Sequence, residues 1–202
     1  NFHEKNKDIT PLHLVISGDL VQPAKNGLTT KEIFDSLDMG QYVHYFDRVE
    51  YLKELSDLTP LRLELGLRTV FNTVEKLLNP ALSDYSVTTA FHKPYVQKYL
   101  DIFSDYYKDV YVVKASEGSP EVFKDGKYWK MVDGKIEEFS FSLKDFGINY
   151  DKTYEDISLE EALNIVKNPD EEILKLARFN IALYLVFSNR VNSLEEAWKR
   201  LN

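Results

Sequence analysis

Apolar positions along the chain alternate between two spacings. Leu12-His13-Leu14-Val15-Ile16-Ser17 is a short apolar run stopped by Gly18, which predicts a buried strand. Thr29 or Thr30 then caps a short helix over Lys31 to Leu37, and the β-formers between Gln41 and Phe46 predict a second strand. The strongest helical period begins at Pro60, where Leu67, Val70, Phe71, Val74, Leu77 and Leu78 recur every three to four positions until Asn79-Pro80. Tyr85 to Phe91 and Val110 to Val113 read as strands, with a helix from Pro94 to Phe103 between them. Asp125-Gly126 and Asp133-Gly134 are hairpin dipeptides, so Val122 to Phe141 is expected to be an antiparallel ribbon. Ser158 with Glu161 and Ser193 with Glu196 have capping-box spacing, and a long apolar helix opens at Pro169 and runs through Phe187. Strands alternating with helices predict an α/β fold, mainly a parallel sheet flanked by helices with a small antiparallel β ribbon. No linker-like stretch divides the chain, so residues 1–202 are expected to form a single α/β domain.

Composition narrows the chemistry. The 202 residues are 44% hydrophobic and 29% charged, enough for a sizeable core. Lys and Arg number 25 against 33 Asp and Glu, a net charge of −8 that argues against a nucleic-acid partner. With no cysteine, thiolate nucleophiles, disulfides and Cys-ligated metals are excluded. No apolar run approaches the roughly 20 residues a membrane helix needs, and no signal-peptide pattern opens the chain, so no membrane association and a cytoplasmic location are expected. The four histidines stand apart in sequence, without a helical metal pair, and His13 reads as a packed or hydrogen-bonded core residue. Glycines scattered singly exclude a Walker loop or dinucleotide fingerprint.

Two stretches sit where α/β proteins bind ligands, beyond strand ends. In the first, Ser17, Lys25 and Gly27 can offer a phosphate a hydroxyl, an ammonium and an open backbone N–H; the alternative is a plain surface loop. In the second, Glu117-Gly118-Ser119-Pro120-Glu121, carboxylates can hold Mg²⁺ together with a substrate diphosphate; the alternative is a polar turn. Arg62 and Arg68 fall on different faces of the predicted helix, one of them able to hold a carboxylate bidentately; the alternative is a pair of solvated cations beside Glu64.

The run Leu61-Arg62-Leu63-Glu64-Leu65-Gly66-Leu67-Arg68-Thr69-Val70-Phe71-Asn72, continuing through Leu77-Leu78-Asn79-Pro80-Ala81, resembles the anthranilate phosphoribosyltransferase family. Asp133-Gly134-Lys135-Ile136-Glu137-Glu138-Phe139, Asp145-Phe146-Gly147 and Asn180-Ile181-Ala182-Leu183-Tyr184-Leu185 resemble its later segments in the same order, so the likeness extends from about Leu12 to Leu201. The resemblance implies a nucleoside-phosphorylase-like phosphoribosyltransferase fold, phosphoribosyl diphosphate with Mg²⁺ as donor, a small aromatic amine as acceptor, and a place in tryptophan biosynthesis. By the same resemblance Ser17, Gly18 and Lys25 lie at the donor phosphates, Arg62 at the acceptor carboxylate and Glu121 at the metal. No residue of the chain is expected to act as a nucleophile. The family's N-terminal helical domain and first βα units are expected to be missing, leaving a homodimer or a partner subunit open.

Departures from the family pattern cluster at the charged positions. Ile16-Ser17-Gly18 stands where the family has Lys-His-Gly, and Pro120-Glu121 where it has Asp-Glu. Val74-Glu75-Lys76-Leu77 replaces Leu-Gly-Pro-Leu, and Glu75 beside the acceptor pocket opposes an anion. Scaffold positions such as Gly66, Phe71, Asn79 and Pro80 survive. The pattern predicts degraded donor and metal motifs, with a non-catalytic binding or assembly protein on the same scaffold as the alternative.

Overall fold

The computed structural model describes residues 2–19, 27–66, 69–114, 120–152 and 157–202. In chain order its elements are α1 (Phe2–Lys5), β1 (Leu14–Gly18), α2 (Thr30–Asp35), β2 (Val43–Asp47), α3 (Arg48–Tyr51), α4 (Lys53–Ser56), α5 (Thr59–Leu65) and α6 (Phe71–Val74). They continue with β3 (Tyr85–Thr89), α7 (Lys93–Phe103), β4 (Asp109–Val113), β5 (Gly126–Val132), β6 (Lys135–Phe141), α8 (Leu159–Lys167), α9 (Glu171–Phe187) and α10 (Leu194–Leu201). The α/β class predicted from the alternation holds. The chain forms two compact units: one of residues 1–12, 83–151 and 170–202, the other of residues 13–82 and 152–169.

The first unit is built on a sheet of order β3-β4-β5-β6, parallel between β3 and β4 and antiparallel thereafter. All four residues from Val110 to Val113 are at most 4% exposed, as expected of a strand covered on both faces. Helix α7 packs on β4 and β5, and α10 packs on α9. Tyr111, Tyr128, Phe141, Phe179 and Phe187 form an aromatic core, with Tyr111 stacked on Phe187 at 4.2 Å between ring centroids. The hairpin between β5 and β6 turns at Asp133-Gly134, whose φ values of 49° and 73° suit the Asp-Gly pair. Asp125-Gly126 is not a turn of that ribbon. Gly126 is the first residue of β5, and the Asp125 carboxylate accepts from the Leu143 N–H at 2.7 Å and the Ser142 hydroxyl at 3.0 Å.

The second unit holds the parallel pair β1-β2, registered Leu14 to Val43 through Gly18 to Asp47. Strand β1 alternates half-buried and exposed residues, with Val15 at 37%, so it is not the fully buried strand its apolar run predicts. Of the two caps predicted for α2 it is Thr29 that serves, in a capping box with Glu32, and Ser158 forms the predicted capping box with Glu161 at α8; α2 and α8 pack together. The long helix predicted after Pro60 is interrupted. Helix α5 ends at Gly66, which adopts φ 62° and directs its N–H to the carbonyls of Arg62 and Leu63; the next helix among the described residues is α6, from Phe71. A glycine in left-handed conformation ends a helix whatever apolar period continues beyond it.

Candidate functional site

In the second unit β1 and β2 end side by side, because Gly18 registers with Asp47. The next residue of each, Asp19 and Arg48, therefore leaves the pair at the carboxyl end, where α/β proteins bind ligands. Asp47 caps α3 by accepting from the Val49 N–H at 3.1 Å. Arg48, 6% exposed, places Nη1 3.0 Å from Asp19 Oδ2 and 3.0 Å from Glu75 Oε2. Glu75 also takes Arg62, with Nη1 at 3.1 Å from Oε2 and Nη2 at 3.3 Å from Oε1. The Ser56 hydroxyl donates to Asp19 Oδ1 at 2.6 Å. Asp19, Arg48, Glu75 and Arg62 thus alternate in charge along one buried chain, their side chains 1%, 7%, 9% and 2% exposed. Charges so buried persist because each is paired; removing one partner of a buried pair typically costs about 3–5 kcal/mol. The Nε atoms of Arg48 and Arg62 are buried without a partner among the described residues.

Around this chain the predicted donor residues have partners of their own. Ser17, exposed on β1, shares a 2.6 Å hydrogen bond with the Tyr51 hydroxyl. Gly18 packs closely on Tyr45: a Cβ there would force the Tyr45 hydroxyl and ring to shift. Burial, followed by the nearby Asp47 carboxylate, pushes the Tyr45 phenol up to about 12, so it stays protonated and can donate. Lys25 lies outside the described residues, as do Arg68 and Glu117. His13 is an exposed residue and not a core one; its Nδ1 lies 2.9 Å from His44 Nε2 across the β1-β2 pair.

Glu121 belongs to the first unit and is exposed. The next residue, Val122, is anchored through its N–H and C=O to the Asn180 side chain of α9, both at 2.8 Å. Burial, with a contribution from Glu121, raises the pKa of the Tyr184 phenol. Among the described residues no group of three or more His, Asp or Glu is placed to hold a metal ion. One exposed carboxylate does not make a resident metal site. It does suit Mg²⁺ arriving on a diphosphate, since that ion is usually held by one or two carboxylates plus substrate phosphates and water. A shallow groove of about 790 Å³ lies between α9 and α10, lined in part by Lys175, Arg178, Trp198 and Lys199. Lys175 is paired there with Glu171 and Glu172, so the groove's cationic character is partly neutralised.

Comparison with known proteins decides what this arrangement belongs to. Residues 29–202 match the Glycosyl transferase family, a/b domain. The chain belongs to that family. Within it, an uncharacterized protein of Aquifex aeolicus (strain VF5) is 32% identical over 186 residues, 89% of this chain and 60% of that one. The anthranilate phosphoribosyltransferase of Saccharolobus islandicus (strain L.S.2.15 / Lassen #1) is 29% identical over 163 residues, 74% of this chain and 46% of that one. A solved structure of anthranilate phosphoribosyltransferase from Saccharomyces cerevisiae, in complex with PRPP and Mg, has TM-score 0.73 at 17% identity, over 99% of this chain and 62% of that one. The latter likeness is one of fold. The chain spans 46% to 60% of the length of these two curated relatives.

Membership of this glycosyl transferase family agrees with the resemblance carried by the segment from Leu61 to Ala81. Of the predicted residues, Ser17, Gly18 and Arg62 fall in one unit, the first two at a strand end and Arg62 in the ion chain, while Glu121 falls in the other. Sequence reading missed Arg48 and the structural use of Asp19. The sequence shows Glu75 as an opposing charge but not its partnership with Arg62. The one signal available was charge arithmetic, a new carboxylate at position 75 thirteen residues from a retained arginine.

Proposed function

We propose that this chain carries the α/β part of an anthranilate phosphoribosyltransferase-like transferase, with phosphoribosyl diphosphate and Mg²⁺ as donor and a small aromatic amine as acceptor. The observation that carries the reading is the family match over residues 29–202, which includes the residues of the buried ion chain from Arg48 to Glu75. In such a transfer the amine itself attacks the anomeric carbon and pyrophosphate leaves, so the protein needs no nucleophile. Its work is to orient donor and acceptor and to stabilise developing charge. Ser17 and the backbone at Gly18 would face the donor phosphates, together with Lys25. Arg62 would mark the acceptor side. Mg²⁺ would neutralise the diphosphate leaving group, and Glu121 is the carboxylate assigned to it on this reading. A cytoplasmic setting and a role in tryptophan biosynthesis belong to the same reading, as does assembly with a second copy or a partner subunit.

A second reading is favoured by specific residues: a non-catalytic binding or assembly protein on this scaffold. Ile16 and Ser17 supply neither of the cationic side chains of the family's Lys-His pair, and the Ser17 hydroxyl is engaged by Tyr51. Titration calorimetry of the longest native chain with phosphoribosyl diphosphate and Mg²⁺ separates the two. Saturable, Mg²⁺-dependent binding is expected for the transferase; no detectable binding sinks it in favour of the second reading.

A further inference from the structure

Arg62 is the most buried guanidinium of the ion chain, at 2% exposure, and both of its terminal nitrogens are directed at Glu75. Two roughly parallel N–H···O bonds to one carboxylate are how arginine recognises a carboxylate ligand. Here the ligand is part of the protein. Glu75 opens the single-turn helix Glu75–Leu77 and brings its carboxylate back to α5 and, through Oε2, to Arg48. Along Asp19, Arg48, Glu75 and Arg62 the formal charges sum to zero. A carboxylate entering at Arg62 would add an unmatched negative charge to this buried chain and would meet Glu75 as a like charge. Unpaired buried charge and like-charge juxtaposition are both strongly unfavourable, and they are the means by which sites reject wrong ligands. A neutral amine or nitrogen heterocycle adds no charge and meets neither penalty.

We propose that Glu75 is a built-in carboxylate occupying the recognition edge of Arg62, so that the site takes an aromatic amine or nitrogen base lacking a carboxylate. The word acceptor rests on the phosphoribosyl-transfer reading; the occupation of Arg62 by Glu75 does not. Glu75 is therefore a specificity-determining residue that acts by exclusion, and Arg62 is a structural member of the ion chain.

The test uses benzoate and anthranilate as carboxylate probes and aniline as their uncharged counterpart, in thermal melts and calorimetry at matched ionic strength. Wild-type protein is expected to show no saturable benzoate or anthranilate binding. Glu75→Ala should melt below wild type and regain stability with benzoate, saturably and by more than with aniline, which cannot pair with Arg62, whereas sodium chloride gives no such gain. Adding Arg62→Ala to Glu75→Ala should abolish the benzoate effect. Anthranilate binding by wild type that Arg62→Ala removes would overturn the proposal, as would a folded Glu75→Ala protein that benzoate fails to stabilise. Should Glu75→Ala not fold, Glu75→Gln keeps the shape and one acceptor oxygen while deleting the charge. It should bind benzoate at least about tenfold more tightly than wild type does, a difference calorimetry resolves, and equal affinities would overturn the proposal. Phosphoribosyl diphosphate titrations on the same samples keep the two readings apart. Absent donor binding with intact benzoate rescue removes the transferase and leaves Glu75's role standing; donor binding without rescue does the reverse.

Discussion

At the scale of single residues, Gly18 and Tyr45 show how a position can look like a ligand contact and be fixed by packing. Glycine at a strand end facing a presumed phosphate reads as room for a ligand. In the structure that room is narrowed, since the Tyr45 hydroxyl stands too close to where a Cβ would be built for both to stay in place. Gly18→Ala should therefore destabilise the second unit by about 1–3 kcal/mol, the usual cost of overpacking. Tyr45→Phe removes the nearest atom of the clash, so the double variant should recover part of the loss in urea titration, while ring carbons that remain close prevent full recovery. Strict additivity of the two changes would show that the contact is not what selects glycine.

Elements formed by neighbours in sequence were the legible ones. The Thr29 cap of α2, the capping box at Ser158–Glu161 and the Ser193 cap over Glu196 appear where the sequence puts them, because the donor and acceptor lie within one turn. The break at Gly66 was not legible. Apolar period reports which face is buried, and that period continues beyond residue 66 although the backbone leaves the helix. Likewise the Arg48–Glu75 partnership spans 27 residues and no local pattern encodes it. The family match made the scaffold readable, but the electrostatics of the candidate site depended on which charges meet in space. The β5-β6 ribbon carries a cross-strand group of the same kind, and there the sign of the pH effect can be worked out. Glu138 takes a hydrogen bond from Lys127 at 2.8 Å and one from the Trp129 indole at 2.6 Å. Led by Lys127, these hold the Glu138 carboxyl down to about 2, below its ordinary 4.5. A carboxyl depressed in the folded state stabilises fully above its unfolded value, and the contribution is lost as pH falls through the folded one. Melting temperature should accordingly drop as pH falls from 4.5 toward about 2. Glu138→Gln should remove that component of the drop, and an unchanged acid profile in the variant would show the pairing to be energetically idle.

Across the whole molecule the two units keep different things inside. The first buries hydrocarbon: Val96, Val112, Phe179, Ala182, Leu185 and Ala197 are all at 0% exposure. The second buries Arg48, Ser56, Thr59 and Arg62, each at most 6% exposed, around strands whose apolar side chains stay partly in solvent. Apolar burial gains free energy with area, about 25 cal/mol per Å², whereas a buried ion chain roughly offsets its own desolvation. Local stability should then divide along the same line, because opening a segment costs what its burial contributes. Native-state hydrogen exchange is expected to be slowest in β4 and α9 of the first unit and distinctly faster in β1 and β2 of the second. On the proposed transferase reading, a ligand site at the ends of β1 and β2 is favoured by low local stability there, since ligand binding then supplies the missing protection. If that reading holds, phosphoribosyl diphosphate with Mg²⁺ slows exchange around Ser17 and Gly18 and leaves β4 unchanged. Amides of β1 and β2 as protected as those of β4 in the free protein would mean that the ion chain stabilises its unit as strongly as an apolar core does, and the argument from burial would fail.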